Sequence, residues 1–320
     1  MPIRLFTPRY WPTWLGLGLM RLLAFLPFGW QTQLGKGLGT VLLHLPTSIS
    51  RTARRNLELC MPAQSAGERQ ELLAAHFRSL GISLFEIAFT WWAAPRRVNK
   101  LFRIEGGENL HAALARRRGV ILLSAHFTTL EISGRMLASV HPTSFLYKPT
   151  KNALLAWFLA RCRSKFGGNA IPRDDIRALI GALKNNECVW YAPDQSYRKK
   201  GAQMVEWFGI PVATNTFTSR LARMTGAAVL PYFVERLPDA QGYRAVIHPA
   251  LDNFPSACPL ADAQRFNQLI EAQIRRCPDQ YLWVHRRFKG LTADYPDYYG
   301  RRSPEPLGMA GTTAAPVTRL

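Results

Sequence analysis

The chain of 320 residues predicts an α/β fold: a single mixed-sheet domain flanked by helices, with an N-terminal hydrophobic membrane-anchor helix. Three observations predict this fold. Short apolar runs rich in β-branched residues alternate with stretches of helical period along most of the chain. One long apolar and aromatic run lies near the amino terminus. Apolar residues make up 48% of the sequence, which is ample for a sizeable core.

The N-terminal run covers residues 10–28 (YWPTWLGLGLMRLLAFLPF) and is close to the roughly 20 residues that a spanning helix needs. Arg21 would lie near the middle of the membrane, where a charge costs at least ~2.5–3.5 kcal/mol unless it snorkels. A spanning helix and an interfacial helix therefore both stay open. Arg51, Arg54 and Arg55 follow, and juxtamembrane arginines favour the cytoplasmic side.

We divide the chain into an anchor and interfacial region (1–46), a catalytic domain (47–300) and a disordered tail (301–320) whose Pro, Gly, Thr and Ala content is typical of disorder. Lys and Arg outnumber Asp and Glu by 41 to 21, which gives a net charge of +20. Such an excess favours anionic partners: nucleic acid, an anionic membrane surface or an acidic carrier protein. The five scattered cysteines form no CxxC pair, which argues against disulfides and a zinc site.

Strands and helices are predicted to alternate through the catalytic domain. Ser65 and Glu68 form a capping-box pattern, which opens a long helix with apolar residues on one face. Apolar runs rich in Val, Ile, Phe and Tyr predict strands at 102–105, 120–123, 143–148, 188–192, 229–234 and 243–248. Apolar residues at helical spacing predict helices at 108–117, 130–137, 151–163, 176–183, 217–224 and 261–276.

Polar groups follow three of these predicted strands. His126 comes after the second strand, Lys148 ends the third, and Asp194 and Gln195 follow the fourth. If these strands are neighbours in one sheet, the groups line a single crevice at the carboxyl edge. Glu131 lies on the following helix, and a turn could fold its carboxylate onto the His126 imidazole to give a base with an orienting partner. Taken alone, a histidine at a strand end is more often structural.

The motifs that the sequence lacks narrow the chemistry. It contains no GxSxG nucleophile elbow, no Walker or dinucleotide glycine fingerprint, and no HExxH zinc motif. No cysteine stands beside a candidate base as a nucleophile. A base without a protein nucleophile predicts that a hydroxyl of the substrate is activated by general-base catalysis. We therefore expect no metal and no cofactor.

Four blocks of polar and apolar residues follow one another along the sequence: His126-x4-Glu131, Tyr147-Lys-Pro149, Ala192-Pro-Asp-Gln195 and Ala228-Val-Leu-Pro231. In order and spacing they resemble the four blocks of the glycerolipid acyltransferase superfamily. YWPTWLGLG, RRNLELC, HFRSLG and QYLWVHRRFK look especially similar to the lauroyl-type lipid A late acyltransferases of Gram-negative inner membranes. The resemblance covers about residues 8–300, and the full ordered set of blocks is specific.

The resemblance implies direct acyl transfer on the cytoplasmic side of a bacterial inner membrane. The donor would be an acyl-carrier protein, the acyl group lauroyl, and the acceptor a secondary hydroxyl of a hydroxyacyl chain on the Kdo-lipid A precursor. His126 would act as the base and Glu131 as its orienting partner. Lys148, Arg161, Asp194 and Gln195 would bind substrate, with a surface or structural role equally open for these four. The expected partners are the carrier protein, the lipid A precursor and the anionic inner-membrane surface.

Other functions compete with this interpretation. A thioesterase or other hydrolase could use the same His–Glu pair on water, and another lysophospholipid-type acyltransferase would share the blocks. A nucleic-acid-binding protein would also be basic, but it needs no apolar anchor and no known nucleic-acid motif is present. The cluster Arg286, Arg287 and Lys289 is a candidate docking patch, although ordinary solvated charge is the simpler interpretation.

Overall fold

A seven-stranded sheet forms the centre of the protein in a computed structural model, which describes residues 3–148, 150–164 and 167–300. The predicted tail, 301–320, lies outside the described residues. The sheet consists of β1 (Phe102–Glu105), β2 (Val120–Leu123), β3 (Thr143–Tyr147), β4 (Ala170–Pro172), β5 (Cys188–Tyr191), β8 (Ala228–Arg236) and β9 (Tyr243–Ile247). A separate antiparallel hairpin consists of β6 (Ala202–Trp207) and β7 (Ile210–Asn215).

The strand order in the main sheet is β1-β9-β8-β2-β5-β3-β4. All neighbours are parallel except β8 and β9, which are antiparallel, so the predicted mixed sheet is confirmed. All four residues of β2 are buried, because helices cover both faces of a parallel sheet and leave no wet side. The central position of β2 places the end of this strand deep in the domain.

Eleven α-helices pack around the sheets in the described part of the chain. They are α1 (Trp11–Leu23), α2 (Phe28–His44), α3 (Ser48–Cys60), α4 (Ala66–Trp92), α5 (Pro95–Asn99), α6 (Gly107–Ala115), α7 (Leu130–Ala138), α8 (Ala153–Ser164), α9 (Ile176–Lys184), α10 (Phe217–Thr225) and α11 (Pro259–Arg276). The predicted capping box at Ser65 and Glu68 opens α4, with both reciprocal hydrogen bonds present.

The predicted anchor segment, residues 10–28, is α-helical only over α1, which has 13 residues. At 1.5 Å per residue α1 is about 20 Å long, and the hydrocarbon core of a bilayer is about 30 Å thick. Helix α1 ends at Leu23, and a separate helix, α2, begins at Phe28 after Pro27. In the described residues, α4 is the helix that is long and apolar enough to span a membrane, yet 61% of its most apolar window is buried in the protein.

Helices α2 and α4 approach each other closely through three glycines. A Cβ atom on Gly39 would lie 2.1 Å from the carbonyl oxygen of Phe77, and one on Gly81 would lie 2.1 Å from the carbonyl oxygen of Gly35. No side chain fits such gaps, so the two backbones can pack only because these residues lack a Cβ atom. The glycines in the middle of α2 therefore fix α4 against this helix, and α4 in turn packs on α7.

The strand order brings the three predicted polar strand ends together. Strand β5 lies between β2 and β3, and Leu123 pairs in register with Tyr191 at the carboxyl ends of β2 and β5. The loops after these three parallel strands therefore leave the sheet along the same edge. The prediction of a single crevice required these three strands to be neighbours in one sheet, and the structure confirms that they are.

Candidate active site

His126 and Asp194 form a hydrogen-bonded pair at this edge. The Nδ1 atom of His126 lies 2.6 Å from Oδ1 of Asp194, and the backbone N–H of His126 donates to Oδ2 of the same carboxylate at 3.0 Å. The Asp194 side chain is 1% exposed, and that of His126 is 23% exposed. Because Nδ1 is engaged, Nε2 is the ring nitrogen left free to meet a substrate.

A third donor completes the surroundings of Asp194. The hydroxyl of Tyr281 donates to Oδ2 at 3.1 Å, and Tyr281 also forms an isolated bridge with Phe127, the residue after His126. Burial alone would raise the pKa of the Asp194 carboxyl, but His126 and the buried guanidinium of Arg287 hold it below its ordinary value. Asp194 is therefore an anion at neutral pH, locked by three donors.

The charge of Asp194 also changes His126. Burial lowers the pKa of the imidazole, whereas the charge and the hydrogen bond of Asp194 raise it, and the net result is a pKa above the ordinary value of histidine. His285 lies on the other side of the loop and accepts a hydrogen bond from the Ser196 backbone N–H at 3.1 Å. Burial lowers the pKa of His285 to about 4, so His285 stays neutral and leaves His126 as the stronger base.

Glu131 does not occupy the predicted position. The sequence predicted that its carboxylate orients His126, but in the structure Asp194 has this place, and Glu131 forms an ion pair with Arg163 and accepts from Trp91 Nε1 at 3.2 Å. The reason is geometric: Glu131 lies in the first turn of α7, beside α8, which carries Arg163. Glu131 therefore stands near the pair without contacting the imidazole, and a catalytic role for it stays a prediction.

His126 lines a cleft of about 390 Å³, with Asp194 buried behind it. Two of the predicted substrate-binding residues, Lys148 and Gln195, line this cleft beside His126. Three further basic residues line the same cleft: Arg173, Arg198 and Lys199. One carboxylate, Asp174, partly offsets them, with 3.4 Å between its Oδ1 and Lys199 Nζ. The cleft is therefore basic and lies directly in front of the candidate base.

The other two predicted substrate contacts have different surroundings. Asp194 was predicted to bind substrate, but it is buried behind His126 and its oxygens are engaged there. Arg161 lies on α8 with its guanidinium 5.8 Å from the ring centroid of Trp157, and it is absent from the described residues that line the cleft. Arg163, two residues further on, instead reaches Glu131. The sequence offered no signal that would choose Arg163 over Arg161.

The predicted basic cluster near the carboxyl end is not a surface patch as a whole. Arg287 is 2% exposed, and it donates to the carbonyl oxygen of Ala213 and to Thr214 Oγ1, both at 2.8 Å. Its guanidinium lies 5.3 Å from the ring centroid of Trp207. Both interpretations of this cluster, docking and solvated charge, are therefore wrong for Arg287, which joins the C-terminal segment to β7.

The arrangement can perform general-base chemistry. A buried carboxylate fixes the tautomer of an imidazole and stabilises the imidazolium that forms when the ring takes a proton. The free Nε2 faces a basic cleft that suits an anionic substrate. Among the described residues, no group of three or more His, Cys, Asp or Glu side chains gathers closely enough to hold a metal ion.

Several known proteins are similar to this chain over most of its length. It is 41% identical over 283 residues to the lipid A biosynthesis palmitoleoyltransferase of Escherichia coli, with 88% of this chain and 92% of that protein covered. It is 36% identical over 299 residues to the lipid A biosynthesis lauroyltransferase of the same organism, covering 91% and 96%. A lipid A biosynthesis acyltransferase of Haemophilus influenzae is 34% identical over 287 residues, covering 88% and 91%.

The family model of the bacterial lipid A biosynthesis acyltransferases matches residues 2–290, which is nearly the whole of the folded chain. The match includes all the strands whose ends form the candidate active site. The resemblance noted in the sequence is confirmed: this chain belongs to the bacterial lipid A biosynthesis acyltransferase family.

Proposed function

We propose that this acyltransferase moves a fatty acyl chain from an acyl-carrier protein to the hydroxyl of a hydroxyacyl chain on a lipid A precursor. The observation that carries the proposal is the His126–Asp194 pair, 2.6 Å apart, at the back of a basic cleft. The relatives' names supply the lipid, and the acyl-carrier thioester is the donor that the sequence resemblance implies. A lauroyl chain remains part of the proposal.

The reaction needs one base and no covalent enzyme intermediate. His126 Nε2 takes the proton of the acceptor hydroxyl while that oxygen attacks the thioester carbonyl carbon. An oxygen–carbon bond forms, the carbon–sulfur bond breaks, and the imidazolium returns the proton to the leaving thiolate of the carrier. Asp194 stabilises the imidazolium between these two steps, as the carboxylate of a catalytic triad does.

The basic lining of the cleft supports an anionic acceptor. Lys148, Arg173, Arg198 and Lys199 surround the approach to His126, and the phosphates of a lipid A precursor would pair with them. The net charge of +20 acts in the same direction, because it attracts anionic lipid and an acidic carrier protein to the surface. Gln195 offers an amide that can hydrogen-bond to the same headgroup.

A hydrolase is the alternative, since the same imidazole could activate water. Labelled acyl-carrier protein should be incubated with the purified protein, with and without the lipid A precursor. We expect labelled acylated lipid only when the acceptor is present, and little free fatty acid in its absence. Equal release of free fatty acid under both conditions, without acylated lipid, would exclude the transferase and support the hydrolase.

We also propose that the N-terminal helices lie in the cytoplasmic interface of the inner membrane. One face of α1 exposes Trp11, Leu15, Leu19 and Leu22, which are between 56% and 78% exposed. A helix too short to span but with such an apolar face binds in the headgroup region. The same membrane would supply the lipid acceptor to the cleft.

Replacing Leu15 and Leu19 together by Glu tests this membrane proposal. Each leucine side chain contributes ~1.5–3 kcal/mol when it is buried, so the double variant should bind vesicles at least ~100-fold more weakly. Co-sedimentation with phosphatidylethanolamine and phosphatidylglycerol vesicles measures the change. The matched control is Ile176→Glu with Leu260→Glu, two apolar side chains exposed by 39% and 42% on α9 and α11. Equal losses in the two double variants would contradict the assignment to α1.

A further inference from the structure

A second, apolar cleft lies between α7 and the edge of the sheet. Its walls are Leu130 and Leu137 of α7, Phe145 and Leu146 of β3, and Trp190 of β5. The enclosed part measures about 90 Å³, which is room for part of a hydrocarbon chain. We call this space the α7 cleft. Neither the base nor the basic residues of the first cleft line it.

The α7 cleft adjoins the cleft in front of His126. Leu146 and Trp190 line both spaces. The Trp190 ring stands edge-on to the His126 imidazole, with 6.2 Å between the centroids. A chain attached to a carbonyl held at His126 would therefore reach the α7 cleft by passing Trp190.

The charged groups at the α7 cleft are already paired. Glu131 and Arg163 both line it, and they form an ion pair with each other. Arg163 also lies over the Phe145 ring, with 5.2 Å from its guanidinium carbon to the centroid. Because the two charges cancel and the remaining walls are largely apolar, the space suits a neutral hydrocarbon and not an anionic headgroup.

Gly134 leaves a gap in the wall that α7 presents to this space. It lies four residues after Leu130 and three before Leu137, so all three residues share one helix face. A Cβ atom built on Gly134 would meet nothing within 4 Å. Glycine inside a helix is less stable than alanine, and no close neighbour requires it here. The missing side chain enlarges the cleft at this point of α7.

We propose that the α7 cleft binds the hydrocarbon of the acyl chain that is transferred, and that the absence of a side chain at Gly134 sets how long a chain it admits. This inference rests on the proposed function. The donor chain is the occupant because its carbonyl carbon must lie at His126, and the α7 cleft adjoins the space in front of His126. The relatives named for palmitoleoyl and lauroyl transfer indicate that chain length varies within the family.

The test is Gly134→Leu, assayed with acyl-carrier thioesters from octanoyl to palmitoyl and one fixed acceptor. A leucine projecting into the cleft should lower kcat/KM for the longest accepted donor by about 10- to 200-fold relative to octanoyl, since each methylene rejected by an apolar pocket has an effect of this order. Gly134→Ala should shift the preference in the same direction by less. The alanine variant also serves as the second probe if the leucine variant does not fold.

Gly181→Leu is the matched control. Gly181 also lies in mid-helix, in α9, and a Cβ atom there likewise meets nothing within 4 Å, but it does not line the α7 cleft. Its donor preference should equal that of the wild type. An unchanged preference in both Gly134 variants would overturn the inference. An equal loss with every donor, together with a raised KM for the acceptor, would also overturn it and assign the cleft to an acceptor chain. Failure of the proposed function is distinct: the wild type would then acylate no lipid with any donor.

Discussion

Replacing Asp194 by Asn should lower kcat for acyl transfer by about 10⁴-fold, the effect of the equivalent change in serine proteases. The asparagine side chain keeps one acceptor oxygen, but its NH₂ group would face at least one donor among His126 Nδ1, the His126 backbone N–H and the Tyr281 hydroxyl. The imidazole would lose its fixed tautomer, and the imidazolium would lose its counter-charge. Single-turnover transfer to the lipid A precursor measures the effect.

The pH profile gives the same substitution a second readout. The base must be neutral to accept a proton, so activity falls as pH drops through the pKa of His126. Burial lowers this pKa, but Asp194 raises it above the ordinary histidine value, and the acid limb of kcat/KM should therefore lie above pH ~6.5 in the wild type. In Asp194→Asn the raising charge is gone, so the limb should move to lower pH.

Two further variants serve as controls for Asp194→Asn. Asp174→Asn changes a carboxylate in the same cleft that is 72% exposed and lies beside Lys199, so it should keep the wild-type limb. His126→Ala removes the base itself, and its rate gives the activity that remains without a base. An acid limb that stays in place in Asp194→Asn, or a rate far above that of His126→Ala, would show that Asp194 does not govern the base.

The sequence predicted the place of His126 just after β2, because strand ends can be identified from local pattern. Its carboxylate partner could not be found in this way. Asp194 is 68 residues away along the chain and reaches His126 only because β5 pairs with β2. Strand order depends on how all the helices pack, whereas Glu131, five residues away, was the carboxylate that local reasoning could reach. The same limit explains why Tyr281 was missed.

Burial explains why the interpretation of Arg287 was wrong. Arg287 was interpreted from its basic neighbours, but its guanidinium lies over the Trp207 ring and finds backbone and hydroxyl acceptors in β7. An arginine can be buried in this way with backbone and hydroxyl acceptors and the charge of Asp194 nearby, and composition gives no sign of it. The mixed sheet itself was predictable, because its strands are short apolar runs that alternate with helical patterns.

A buried ion pair holds α4 against the sheet. Breaking it should lower the free energy of unfolding far more than breaking a solvent-exposed ion pair does. Arg236 of β8 donates to Oε2 of Glu86 at 2.7 Å and to Ser79 Oγ at 2.7 Å, and the Tyr243 hydroxyl donates to Glu86 at 2.6 Å. The Arg236 and Glu86 side chains are 7% and 3% exposed. Arg236→Met would leave the Glu86 carboxylate buried without its cation, and the expected loss in free energy of unfolding is ~3–5 kcal/mol.

Urea unfolding followed by tryptophan fluorescence and circular dichroism measures this loss. Arg244→Met is the matched control on β9: Arg244 pairs with Glu105 at 2.7 Å, a side chain that is 51% exposed and screened by solvent. Arg244 also pairs with Glu235 at 3.2 Å, but that carboxylate keeps Arg276 as a second cation. The loss in Arg244→Met should be far smaller. The double variant Arg236→Met with Glu86→Leu should regain part of the stability, because no unpaired charge then remains. If Arg236→Met costs no more than Arg244→Met, the burial of Glu86 is not what makes this pair indispensable to the fold.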